Sequence, residues 1–215
     1  MMYAIFLLKG LAVTISVALI AIVLSFIIGS VLGVIRYYKI PVLSRVIGFV
    51  IDVIRNLPLL LIIFFSYFAI PQFTGIRMTA FGAAILALTI FESAMLSEVI
   101  RAGLVAVPKG QMEAGLSTGL SRIETVRIII VPQAYKMMIP AIVSQFISLI
   151  KDTSLAIIIS LPDFMHQAQI IYGENSNYVI PMFVVLAVGY FIVCYALSLL
   201  SRNLERRLDT SKARL

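Results

Sequence analysis

The sequence predicts an all-α integral membrane protein. It has five transmembrane helices, the N-terminus outside and the C-terminus inside, and a short polar helix on the cytoplasmic side. Three observations carry that prediction. Of 215 residues, 61% are hydrophobic and 13% charged, against about 45–50% and about 25% in soluble domains. Several apolar runs approach or exceed the roughly 20 residues a helix needs to cross the hydrocarbon core. Lys and Arg gather on alternate connections, as cytoplasmic loops do. A β-barrel would instead show short alternating segments.

The first span is expected over Leu11–Ile35, closed by Arg36-Tyr37-Tyr38-Lys39 and Pro41. MMYAIFLLKG lacks a charged leader, so it reads as the start of a retained span. Within that span, Gly29 and Gly33 stand one turn apart, a spacing that allows close helix approach. Val42–Asn56 mixes Arg45, Asp52 and Arg55 with apolar residues and predicts an interfacial helix. The run Leu57–Ile70 is too short to cross alone, at about 1.5 Å per residue, and Pro58 kinks it. Pro71–Arg77 reads as a loop, and Thr79–Val107 as the third span. The fourth is expected over Ile123–Ile150, with Pro132 and Pro140 inside it. Lys151-Asp152-Thr153-Ser154 interrupts the pattern, and Leu155–Leu161 is a short re-entrant or capping helix. A polar loop then runs through Asn177, and the last span covers Tyr178–Leu200. As domains, residues 1–8 form an extracytoplasmic segment, 9–204 the transmembrane domain and 205–215 a cytoplasmic basic tail.

The orientation follows from placing Gly110–Ala134 in the cytoplasm. Arg36, Lys39, Arg45, Arg101, Lys109, Arg122, Arg127 and the basic tail then share that side, with Lys9 and Arg77 opposite. The net charge of +7 reflects this asymmetry; no basic stripe with interleaved aromatics points to nucleic acid. Cys194, the lone cysteine, reads as a packing residue.

Gly115-Leu116-Ser117-Thr118-Gly119 matches a Gly-x-Ser-x-Gly nucleophile motif. That motif needs a strand before the serine and a histidine beside it. The flanks of Ser117 read as helix, and the lone histidine, His166, falls on the opposite side of the membrane. Zinc spacings and a phosphate loop are both missing. No catalytic or metal-binding residue is expected. Gln111–Thr118 instead reads as a short helix, with Glu113 in its first turn and Gly119 at its stop. Met112 and Leu116 would share one face. It is either a docking helix for a cytosolic partner or a solvated loop helix.

The residues alone leave both open, and a family resemblance favours the first. Glu113-Ala114-Gly115, three residues, Gly119, nine residues, then Ile129-Ile130-Val131-Pro132 resembles the EAA loop of ABC importer permeases. The pattern there is Glu-Ala-Ala, three residues, Gly, nine residues, Ile-x-Leu-Pro; here Gly replaces the third Ala and Val the Leu. Arg55-Asn56-Leu57-Pro58-Leu59, Phe91-Glu92-Ser93-Ala94 with Ser97-Glu98-Val99-Ile100-Arg101, and Lys151-Asp152-Thr153-Ser154-Leu155 resemble segments of the polar amino-acid uptake branch. The resemblance covers nearly the whole chain. It implies a type I importer transmembrane fold in the bacterial cytoplasmic (inner) membrane, and a polar amino acid as cargo, glutamate-, aspartate- or glutamine-like. It also implies the partners: a second permease subunit, the same or similar; a cytosolic ATPase pair that holds ATP and magnesium; and an extracytoplasmic binding protein. Glu113, Ala114, Gly115 and Gly119 would form the coupling helix. This chain would bind no cofactor.

Ionisable groups at membrane depth are costly and mark pathways. Glu92 lies mid-span beside Ser93, and Gln145, Ser148 and Asp152 recur on one face of the fourth span. These polar faces line a cavity or hydrogen-bond between helices. Thr153 or Ser154 would cap the following short helix, aiming its N-terminus and Lys151 at a substrate carboxylate, with Glu92 receiving the ammonium. Glu98 and Arg101 are expected to pair, and His166 to sit in a loop.

Overall fold

The computed structural model describes residues 2–209, with side chains described over 3–203. Its first helix, α1 (Met2–Tyr37), starts well before Leu11, so residues 2–8 continue the first span. The chain then reverses in a tight turn. The Leu43 N–H donates to the Pro41 carbonyl (2.7 Å) around Val42, whose φ of 64° and ψ of −57° make a γ-turn. That conformation is strained for a β-branched residue.

α2 (Leu43–Asn56) ends where Leu57 turns extended ahead of Pro58, as a residue before proline does. α3 (Leu59–Phe64), a π turn (Phe65–Ala69) and α4 (Ile70–Thr74) follow as one helical run. This run bends by 103° from α2, and only together are the two long and apolar enough to cross a membrane. The expected loop at Pro71 is helical to Thr74, and Gly75, at φ 72°, stops it. Proline lacks an N–H and crowds the carbonyl one turn back. The wider π turn just before Pro71 relieves that crowding. A second π turn precedes Pro132 at the same interval.

α5 (Ala80–Ala106) starts where the Thr79 side chain accepts from the Gly82 N–H, and ends before Pro108. It packs along α1 through the paired glycines. A Cβ at Gly29 would fall 2.8 Å from Leu96 Cβ and 3.0 Å from the Ser93 carbonyl, and one at Gly33 2.8 Å from the Ser97 carbonyl. Gly29-x-x-x-Gly33 is therefore the central seam of the molecule. α6 (Lys109–Ser117), α7 (Arg122–Thr125), the second π turn (Val126–Ile130) and α8 (Val131–Asp152) come next. The backbone passes from α8 into a 3-10 helix (Thr153–Ile159) without a break, and left-handed Ser160 ends it.

The stretch expected as a polar loop holds a helix, α9 (Phe164–Glu174). Asp163 caps it, accepting from the His166 N–H (2.9 Å), and the Phe164 N–H donates to Thr14 of α1 (3.1 Å). Phe164, Ala168 and Ile171 are buried in a cluster with Met182 and Leu186. α10 (Val179–Asp209) carries the last span on into the basic tail. Arg206 and Arg207 belong to side chains outside the described set, as do Lys212 and Arg214. Among the described residues, four helices are long and apolar enough to cross a membrane, and the count reaches five if the bent α2–α4 pair is taken as one broken span. α9 packs at one end of α1, and the core cluster beside α6 includes Val34 and Tyr37 from the other end.

Candidate functional site

α6 begins at Lys109, so Glu113 lies in the second turn rather than the first. The helix dipole is felt mainly in the first turn, so it does not explain that carboxylate. Met112 packs inward on the core cluster of Val107, Val126 and Ile130, while Leu116 is 45% exposed. The two do not share an outer face. Gly115 is the buried residue of the helix. A Cβ there would lie 2.8 Å from Thr125 Oγ1, closer still to Thr125 Cγ2, and 3.1 Å from Ile129 Cδ1. Thr125 is fully buried, its hydroxyl donating to the Ser121 carbonyl (2.9 Å). The motif's third Ala is Gly here because Thr125 fills the space of its methyl group.

The end of α6 is set by two devices in series. The Gly119 N–H donates to Leu116 (3.1 Å) and the Leu120 N–H to Gly115 (3.3 Å), with Gly119 at φ 86°. This is a Schellman stop, which needs a left-handed residue. Ser121 then opens α7 with a capping box, its hydroxyl and the Glu124 carboxylate each satisfying the other's backbone N–H. Glu113, Ala114, Leu116 and Ser117 remain exposed. Ser117 sits in the last turn of a helix and donates to the Glu113 carbonyl (2.9 Å), which is not the geometry of a nucleophile elbow.

At membrane depth, Glu92 on α5 is 2% exposed and interacts electrostatically with Asp152 at the end of α8. Lys151 acts on Asp152 in turn. Glu92 and Asp152 thus act on each other between α5 and α8, with Lys151, exposed, next to Asp152 in the chain. Gln145 is half-buried on α8, two turns before Asp152. Ser93 is buried beside Glu92 in the chain. With Thr89 it lines an apolar cavity of about 340 Å³ under α2, beside Ile47 and Ile51.

Thr153 and Ser154 do not cap a new helix. Their hydroxyls donate back to the Ile150 and Lys151 carbonyls (both 2.7 Å), and the backbone stays right-handed helical through Asp152 and Thr153. No helix N-terminus opens here toward a substrate carboxylate. Serine and threonine make either bond, forward as a cap or backward within a helix, and the sequence does not distinguish them.

Two clusters escaped the sequence. Glu98 takes Arg101 as expected, through Nε (3.1 Å) and Nη2, and also Arg36 of α1 through Nη1 (2.7 Å). The glycine seam held the signal: with Gly33 against Ser97 and Ile100, the next inward position of α1 falls beside Glu98. The second cluster surrounds Asp163, which is fully buried near Tyr190. Burial pushes its carboxyl from 3.8 to about 6, against the pull of the backbone N–H of His166. His166 itself lies in α9 rather than a loop.

A helical body with a carboxylate buried mid-span at Glu92, and a short polar helix packed tightly against one end, has the architecture of a transporter's membrane subunit. Residues 25–210 match the model for the binding-protein-dependent transport system inner membrane component, and the chain belongs to that family. It is 55% identical over 204 residues to the Probable glutamine ABC transporter permease protein GlnP of Bacillus subtilis, covering 94% of this chain and 93% of that one. It is 38% identical to the L-cystine transport system permease protein TcyB of the same organism, over 87% of this chain and 81% of the relative. A crystal structure of an amino acid ABC transporter with histidines superposes with a TM-score of 0.89 at 32% identity, covering 95% of each chain. The family read from the Glu113–Pro132 spacing is the one the chain matches along its length.

Proposed function

We infer that this chain is the permease subunit of an ATP-driven importer of a polar amino acid in the bacterial cytoplasmic membrane. The observation that carries this is α6, locked on its inner side by Gly115 against Thr125 and bare on its outer side at Glu113, Ala114, Leu116 and Ser117. Such a face fits a groove on a separate cytosolic ATPase, which holds the ATP and magnesium. A second permease copy or a similar chain completes the membrane part, and an extracytoplasmic protein delivers the cargo. The N-terminus faces outward and the C-terminus inward. ATP drives the cycle by binding one arrangement of the assembly better than the other, which shifts the population.

The glutamine relative supports a glutamine-, glutamate- or aspartate-like cargo, while the L-cystine relative cautions that the family accommodates other side chains. Glu92 and Asp152 receive the ammonium, with Lys151 near the carboxylate. Glu92 is buried with no basic group among the described residues acting on it, and a buried charge without a partner is costly, so an arriving cation stabilises it. Uptake of radiolabelled amino acids into liposomes holding the permease, its ATPase and its binding protein tests the reading. ATP-dependent accumulation of a polar amino acid is expected, with at least a tenfold loss in Glu92→Gln and Asp152→Asn. Wild-type kinetics in both variants would remove the pathway assignment. Failure to accumulate any amino acid would remove the function.

A further inference from the structure

A bridge between α6 and α8 lies outside the EAA spacing. Gln133, the residue after Pro132, uses both hydrogens of its side-chain amide. Nε2 donates to Gln111 Oε1 of α6 (3.1 Å) and to the Ile129 carbonyl inside the second π turn (3.1 Å). Gln111, itself exposed, lies at the edge of the side of α6 that carries Met112 and Gly115, which pack on Val126, Ile130 and Thr125. The inner side is thus attached to α7, the π turn and α8 at three successive levels. α8 runs from this point to Asp152 as one helix, with Pro140 inside it.

We propose that Gln133 is a positioning residue that makes α6 and α8 one rigid body, so that displacement of α6 reaches Lys151 and Asp152 as a movement of the whole helix. The inference rests on the reading of α6 as the coupling helix. Without the bridge, α6 pivots about Gly115 when its outer face is pushed, and part of the displacement is lost before α8. One amide serves both contacts because its NH2 group offers two donors to two oxygens, and among uncharged side chains only Asn and Gln carry such a group. Glu at 133 keeps the size but cannot donate. Glu at 111 keeps the acceptor.

The test measures amino acid taken up per ATP hydrolysed by the complete transporter in liposomes. Gln133→Ala and Gln133→Glu are expected to lower that ratio about threefold to tenfold, the scale of one or two net hydrogen bonds. ATP hydrolysis and complex assembly persist, which a merely unfolded permease would not permit. Gln111→Ala does the same, Gln111→Glu stays near wild type, and the double alanine variant is no worse than either single. In a Cys194→Ala background, Gln111→Cys with Gln133→Cys, joined by a short bifunctional thiol reagent, recovers the ratio. Wild-type coupling in Gln133→Ala, additive losses in the double variant, or uptake abolished by the cross-link would each overturn the proposal. Glu113→Ala and Leu116→Asp separate this failure from that of the parent reading. If these outer-face changes leave coupling untouched, α6 is not the coupling helix. If they uncouple while Gln133→Ala does not, the bridge alone falls.

Discussion

Gly115→Ala tests whether Thr125 dictates the residue at the third position of the motif. The added methyl would sit 2.8 Å from Thr125 Oγ1 and 3.1 Å from Ile129 Cδ1, where carbon contacts relax to about 3.5–4.0 Å. Thr125 has no exposed surface to retreat into and is tied to the Ser121 carbonyl. Overpacking of this size costs about 1–3 kcal/mol. Alanine recovers about 1 kcal/mol of helix propensity over glycine, leaving a net loss of about 0–2 kcal/mol. At about 2–4 °C per kcal/mol for a chain of this size, the thermal midpoint of the detergent-solubilised protein drops by up to about 8 °C. The double variant Gly115→Ala/Thr125→Ala removes both colliding Thr125 atoms and is expected to recover most of the loss. The two single effects should therefore miss additivity by at least about 1 kcal/mol. Additive effects, or an unchanged midpoint in every variant, would refute the steric account. Family members with Ala at this position should carry a residue smaller than Thr at the position of Thr125, which an alignment checks.

Three further outcomes follow from the packing. Gly29→Leu drives a side chain into Leu96 and the Ser93 backbone, so the protein should insert poorly and migrate as aggregate in size-exclusion chromatography. Glu98→Gln leaves Arg36 and Arg101 facing each other across the α1–α5 seam. With part of each side chain reached by solvent, the loss should be about 1–2 kcal/mol, read as a lower thermal midpoint. Asp163 binds its proton more tightly folded than unfolded, with its carboxyl moved from 3.8 to about 6. Stability therefore falls as pH rises from about 4 to about 6, by up to about 3 kcal/mol, and is level above that window. Asp163→Asn keeps the cap on α9 and should flatten this slope when melting curves are compared across pH.

Much of this was legible because bilayers impose simple rules. Thr79 and Pro108 bracket α5 within a residue of the expected bounds, since a capping side chain and a proline are local signals. α6 was legible for the same reason, ending at a glycine that only its left-handed turn explains. What escaped depends on contacts distant in sequence. α9 looked like a loop because Asp163, His166 and Gln167 are polar, yet Asp163 and Gln167 are buried and pack against α1 at Gly10. Arg36 was counted as a loop charge, but it reaches Glu98 sixty-two residues away. Thr89 and Ser93, four residues apart on α5, share a face as the helical period implies, and that face lines the cavity under α2. The missing methyl at Gly115 registered only as a departure from a pattern until Thr125 stood opposite it.

The π turn at Val126–Ile130 amounts to one extra residue inserted in an otherwise regular helix. Deleting any residue there would restore a continuous α-helix of nearly the same apolar length, which a membrane would accept. Each residue, however, rotates an α-helix by about 100°. Everything before the deletion, from the capping box back to Glu113, would swing more than a quarter of a circle around the axis of α8. The nine residues between Gly119 and Ile129 are thus an angular setting as much as a length. Substitutions such as Gly at 115 or Val at 131 leave that angle alone, whereas a gain or loss of one residue would point the outer face of α6 away from its partner without disturbing a single span.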